Sequence, residues 1–169
     1  MAAYSEKLAF SIYTRLRAIE NEGMGILEID ENEGIIHFVT NHLIYRFFFD
    51  FYIFKESYVL SVLCYVDESE DNESEAYKPL TVDLNNVDQV NEMAKFLCWI
   101  NNKWKFGNFV IGKNDGGIYY RWGIVCDNEE LPLNAFAHCL MKPMELFEEH
   151  EVSMRMIIQD DFTAEEAMN

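Results

Sequence analysis

The twelve residues from Leu43 to Phe54, LIYRFFFDFYIF, constrain the fold more than any other stretch of the chain. Successive side chains of a strand point to opposite sides of a sheet. Leu43, Tyr45, Phe47, Phe49, Phe51 and Ile53 therefore share one face, which is wholly apolar. The alternate set, Ile44, Arg46, Phe48, Asp50, Tyr52 and Phe54, is mixed: large aromatics around one cation and one anion. A membrane-spanning helix needs about 20 apolar residues, so this charged stretch is too short to be one. It predicts a long sheet strand that buries one side.

The flanking segments supply partners for it. Lys55 to Ser57 reads as a turn and Tyr58 to Val66 as the returning strand, with three valines and two tyrosines that suit a pleated surface. Upstream, Gly25 to Asp30 and Ile35 to Val39 are short strands around the turn Glu31 to Gly34. Before them, Leu8, Ile12, Leu16 and Ile19 recur at helical spacing within Ala3 to Glu22, and Gly23 and Gly25 end that helix. Downstream, Val87 to Trp104 carries the stripe Val90, Met93, Leu97, Ile100 and Trp104, with Asn85 as the expected N-cap. Phe106 to Lys113 and Ile118 to Asp127 flank Asn114-Asp-Gly-Gly117, a hairpin turn in which Gly tolerates positive φ. Phe136, Leu140, Met144 and Phe147 keep helical spacing through Pro143, which predicts a bend or two near-collinear helices. Thr163-Ala-Glu-Glu-Ala is a capping box. The expected fold is α+β, an antiparallel sheet of about six strands in the order α-ββββ-α-ββ-α.

Length and composition agree with one domain over residues 1–169. The chain has 169 residues, half of them hydrophobic, with no repeat and no Pro/Gly/Ser linker. Lys and Arg number 13 against 30 Asp and Glu, a formal charge of -17. That balance disfavours nucleic acid and anionic membrane surfaces, which are bound through Lys and Arg. It favours a basic protein partner, whose encounter it would speed at low salt. Residues 67–78, DESEDNESEAYK, have six carboxylates among the first nine positions, which predicts a mobile acidic loop. No basic-then-apolar start marks a secretory signal, and Cys64, Cys98, Cys126 and Cys139 form no C-x-x-C pair. They read as buried free thiols of a cytoplasmic protein.

Motifs that carry chemistry are missing. His37, His42, His138 and His150 show no metal-ligand spacing, and no phosphate-binding glycine loop or nucleophile elbow occurs. The acidic loop lacks the central Gly of a calcium-binding loop. No catalytic residue, metal or cofactor is expected. The strongest candidate surface is the second side of the sheet: Arg46, Phe48, Asp50, Tyr52, Phe54, Tyr119 and Arg121. Two readings are open for it. Either the C-terminal helices cover it and its charges pair internally, or it is a homodimer or client interface, where aromatics and Arg are enriched.

Asn101-Asn102 closing a helix, Phe106-Gly-Asn-Phe109 opening a strand, Asp115-Gly-Gly117 and Ile118-Tyr-Tyr-Arg121 resemble the YbjN-like bacterial family of sensory transduction regulators. Thr163 to Ala167 and the first helix followed by Gly25 and a strand are similar too. The resemblance implies a fold like that of type III secretion chaperones, and a small acidic protein, often dimeric, that binds proteins. The long aromatic strand and the acidic loop depart from that pattern. The reading reached from the sequence is a non-enzymatic protein-binding module, a chaperone-like adaptor or regulator. The alternative is a small-molecule-binding or enzymatic domain with a pocket between helices and sheet.

Overall fold

The computed structural model describes residues 4–55, 57–67, 77–126, 132–159 and 162–169. The chain opens with helix α1 (Glu6–Asn21), capped by the Ser5 hydroxyl, which accepts from the Leu8 N–H at 3.1 Å. Four strands follow: β1 (Ile26–Asp30), β2 (Ile35–His42), β3 (Tyr45–Ile53) and β4 (Ser57–Asp67). A short β5 (Tyr77–Pro79) leads to α2 (Val87–Lys103), then to β6 (Asn108–Ile111) and β7 (Ile118–Val125). Helices α3 (Leu133–Gln159) and α4 (Ala164–Ala167) complete the chain.

The fold is α+β, as expected, with one sheet in the order β1-β2-β3-β4-β7-β6 and β5 alongside β4. Every pairing is antiparallel. Among the described residues the sheet has seven strands rather than six. The extra strand, β5, begins inside the stretch read as an acidic loop, and Tyr77 pairs with Asp67. Residues 68–76, the rest of the segment expected to be a mobile acidic loop, lie outside the described residues.

Local sequence explains most boundaries. The second helix is capped by Asn86, one residue later than expected; its side chain accepts from the Gln89 N–H at 3.1 Å. Thr163 and Glu166 form both halves of the expected capping box. Pro143 lies inside α3, which is one helix of 27 residues rather than two. All four cysteines are free, but Cys98 is exposed on α2, contrary to the expectation of burial. It falls beside Leu97 on the rim of the apolar stripe.

The core lies between one side of the sheet and the helices. Phe47, Phe49 and Phe51 are fully buried, as are Leu60, Val62 and Cys64 on β4. Leu8, Ile12 and Leu16 of α1, Met93 and Ile100 of α2, and Leu146 and Phe147 of α3 pack from above. Phe147 meets Phe47 at 6.1 Å and Phe109 at 5.0 Å between ring centroids, and Phe136 meets Phe51 at 6.4 Å. Each such aromatic contributes roughly 1.5–3 kcal/mol by leaving water.

Candidate sheet-face site

The helices lie on the wholly apolar side of β3, so they do not cover the mixed side. The physical reason is visible in β3 itself: laying α3 over the other face would bury Arg46 and Asp50, and desolvating charges is costly. The burial of β3 alternates accordingly, with Tyr45, Phe47, Phe49, Phe51 and Ile53 buried, Arg46, Phe48 and Asp50 half-buried and Tyr52 exposed. Among the described residues no helix packs on the mixed face.

Strand register arranges that face in rows. One row is apolar: Ile26, Val39, Phe48, Leu63, Tyr119 and Val110 lie opposite one another from β1 across to β6. The next row is polar: Glu28, His37, Asp50, Ser61, Arg121 and Asn108. Directly opposed residues have Cβ atoms about 4.5–5.5 Å apart, so each row is a continuous stripe. Tyr52 starts a third row with Ile35 and Val59 on either side.

The site residues read from the sequence fall on this frame as follows. Arg46 donates from Nε to the Asn41 side chain at 3.0 Å. The Phe48 ring lies 4.8 Å from the Tyr65 ring. Asp50 Oδ1 is 2.7 Å from His37 Nδ1, an ion pair when the imidazole is protonated. Tyr119 donates to Asp115 at 2.5 Å, and burial together with that carboxylate pushes its pKa up to about 12. Hydrogen bonds from Tyr119 and from the Gly117 N–H hold the Asp115 carboxyl below its ordinary range. Arg121 is exposed and stands one strand from Asp50 across the buried Ser61. Phe54 follows the end of β3; its carbonyl accepts from the Ser5 N–H at 3.1 Å and its side chain is exposed.

The structure thus brings Phe48 and Tyr119 into one row and Asp50 and Arg121 into the next, each pair separated by β4. Residues that sequence reasoning left out complete the surface: Ile26, His37, Val39, Leu63 and Tyr65. The period-two pattern of β2 and β4 marks the face of the last four, and the pairing of Ile26 with Val39 places Ile26 beside them. Only the pairing of β7 with β4 places Tyr119 beside Leu63.

Both edges of the sheet are guarded by side chains of the preceding helix. Glu20 Oε1 accepts from the outward Leu27 N–H of β1 at 3.2 Å. On β6 the Asn101 amide accepts from the Phe109 N–H at 2.7 Å and donates to its carbonyl at 2.9 Å. This clamp gives Asn101 the hydrogen bonds an added strand would make. Gly107 between them needs its positive φ of 71°, and a Cβ there would strike the Tyr120 hydroxyl, which donates to the Phe106 carbonyl at 2.5 Å.

Buried polar groups lie on the helical side instead. Glu151 is 3.3 Å from Arg155 and 3.5 Å from the Tyr45 hydroxyl, whose pKa burial and Glu151 raise to about 12. Burial pushes the Cys139 thiol to about 12 and raises that of Cys64 as well, which suppresses the nucleophilic thiolate. Neither His150 nor Glu151 lines the two clefts that flank β2. Among the described residues no group of three His, Cys, Asp or Glu could hold a metal ion, and no helix is long and apolar enough to cross a membrane. No protein-family model, curated protein or solved structure matches the chain.

Proposed function

We propose that the protein is a non-enzymatic, cytoplasmic protein-binding module, a chaperone-like adaptor or regulator that holds a partner on the face of its sheet opposite the helices. The observation that carries this reading is the apolar row through Phe48 and Tyr119, half-exposed beside a row of charges. Monomers rarely leave a large contiguous apolar patch in water. Alternating apolar and charged rows give a partner both buried area and register. The guarded edges favour the face over addition of a strand at β1 or β6. The charge of -17 favours a basic partner. A homodimer formed through the same face is part of the proposal.

The test replaces Arg46 and Phe48 with Ala, since both are partly exposed and neither supports the core. Mass by light scattering, and capture of partners from native extract at low and high salt, are compared between the two proteins. The expected result is weaker self- or partner association with an unchanged melting temperature. Truncation of a central interface aromatic typically costs about 2 kcal/mol or more of binding. Unchanged mass and unchanged capture would rule the face out as an interface.

A further inference from the structure

We infer that a second cleft, on the helical side of the sheet, accepts the apolar face of a basic amphipathic helix. The cleft lies between the end of α1, β2 and the first half of α3, and encloses about 510 Å³. Its floor is the buried rings of Phe38 and Phe49. Ile19 and Met24 line one wall, and Leu140, Met141 and Met144 the other. Met24 and Met141 are both more than half exposed, at 57% and 55%. Methionine is flexible and polarizable, and surfaces built from it adapt to different apolar side chains. The volume suits a cluster of side chains from one side of a helix, not the helix itself.

Charge at the rim selects the partner. Glu145 and Glu148 stand along α3, and the C-terminal end of α1 faces the cleft with no basic residue in its last turn. A helix C-terminus carries partial negative charge. Glu145 is paired with Lys142 at 2.9 Å and Glu148 with His42 at 3.2 Å, so a guest cation would share these carboxylates. Lys142 also lies 4.0 Å from the Trp104 ring centroid, which holds it to one side.

Backbone chemistry selects a helix over a strand. In the cleft the Met24 carbonyl accepts from the Thr40 hydroxyl at 2.7 Å, and on the neighbouring edge of β1 the outward Leu27 N–H is taken by Glu20. A guest that satisfies its own backbone hydrogen bonds needs neither group. One further feature adjoins the cleft. Leu43, next to the cleft residue His42, is 76% exposed and sits at φ 54°, a left-handed conformation that non-glycine residues adopt at a cost. Ile44, the next residue, is half exposed.

The inference goes beyond the sheet-face reading and is tested apart from it. A fluorescein-labelled model peptide with Leu at i, i+3, i+4 and i+7 and Lys on the remaining face is titrated with the full chain. A second peptide carries Glu in place of Lys. The Lys peptide is expected to bind and the Glu peptide not to. Met141→Ser with Met144→Ser is charge-neutral and changes residues that line this cleft and not the one beside Arg46 and Phe48; it should weaken Lys-peptide binding by about tenfold or more, the scale of an interface anchor. Arg46→Ala with Phe48→Ala, on the other face, should change it by less than about twofold. Melting curves confirm that each variant is folded, and Met141→Ser alone replaces the double variant if that one is not. Equal binding by the methionine variant would show attraction by net charge alone and overturn the inference. Equal binding of both peptides, or a chain dimer that the methionine substitutions dissociate, would overturn it as well.

Discussion

His150 shows how one residue can set a pH response. Its ring stands edge-on to Phe96 at 6.2 Å and to Trp99 at 6.3 Å, and it is buried. Among the described residues Nε2 has no hydrogen-bond partner; a Glu149 carboxylate oxygen is 3.6 Å away, too far for one. Burial lowers the His150 pKa, Lys103 pushes the same way and Glu149 opposes. The folded-state value therefore lies below the unfolded one. As pH falls through about 6.5 the unfolded chain takes up this proton first, so stability is lost from there down to the depressed folded value. His150→Leu removes that loss. Melting temperatures of the natural chain and the variant are expected to diverge in favour of the variant between about pH 7 and pH 5, the range in which imidazole titrates. Parallel curves would mean that the buried ring does not drive the acid response.

At the scale of the element, the informative feature is the guarding of sheet edges. Asn101 belongs to α2 yet completes the hydrogen bonds of β6, so helix and strand are fixed to one another. Asn101→Ala leaves the Phe109 N–H and carbonyl without that partner. It is expected to destabilise the fold by about 1–3 kcal/mol in urea unfolding. It should also raise the tendency to associate edge to edge, measured as light scattering on standing. A variant as stable and as dispersed as the natural chain would show that water replaces the amide without loss. The same clamp accounts for Asn101 and for Gly107 and Phe109 in the Phe106-Gly-Asn-Phe109 pattern. Asn101 supplies the amide, and Gly107 makes the bend that brings Phe109 to it.

Over the whole molecule the dominant electrostatic fact is the charge of -17. Like charges on a compact body repel, and salt screens them over a Debye length of about 10 Å at 0.1 M. The melting temperature at neutral pH is therefore expected to rise as NaCl is raised from about 0.02 M to 0.5 M, while association with a basic partner weakens over the same range. A melting temperature that falls with salt would mean that specific ion pairs outweigh self-repulsion. Among the described residues the short-range pairs are few and mostly exposed, such as Lys95 with Glu92 and Arg17 with Glu20. Such pairs contribute little each.

Local sequence specifies the type and order of most elements and the apolar side of each. Those properties follow from local periodicity: two for Tyr45 to Ile53, near 3.6 for Leu8, Ile12 and Leu16; Leu43, expected on the buried face of the strand, instead sits exposed in the turn before it at φ 54°, where alternation no longer applies. It also placed Arg46, Phe48, Asp50 and Tyr52 on one face, because alternation along a single strand needs no knowledge of the rest of the chain. It missed β5, whose three residues are too few to show a period, and it shifted the cap of α2 between two adjacent asparagines that are equally competent. The tertiary structure alone decided that β7 inserts beside β4, bringing Tyr119 and Arg121 into the rows of Phe48 and Asp50. It alone decided that α3 covers the Phe47 side, so that among the described residues no helix lies on the charged side, and that Asn101 and Glu20 bond to the two edges. These choices depend on contacts between segments far apart in the chain. Their free energies are differences in buried area and charge desolvation summed over many residues, which no local pattern records.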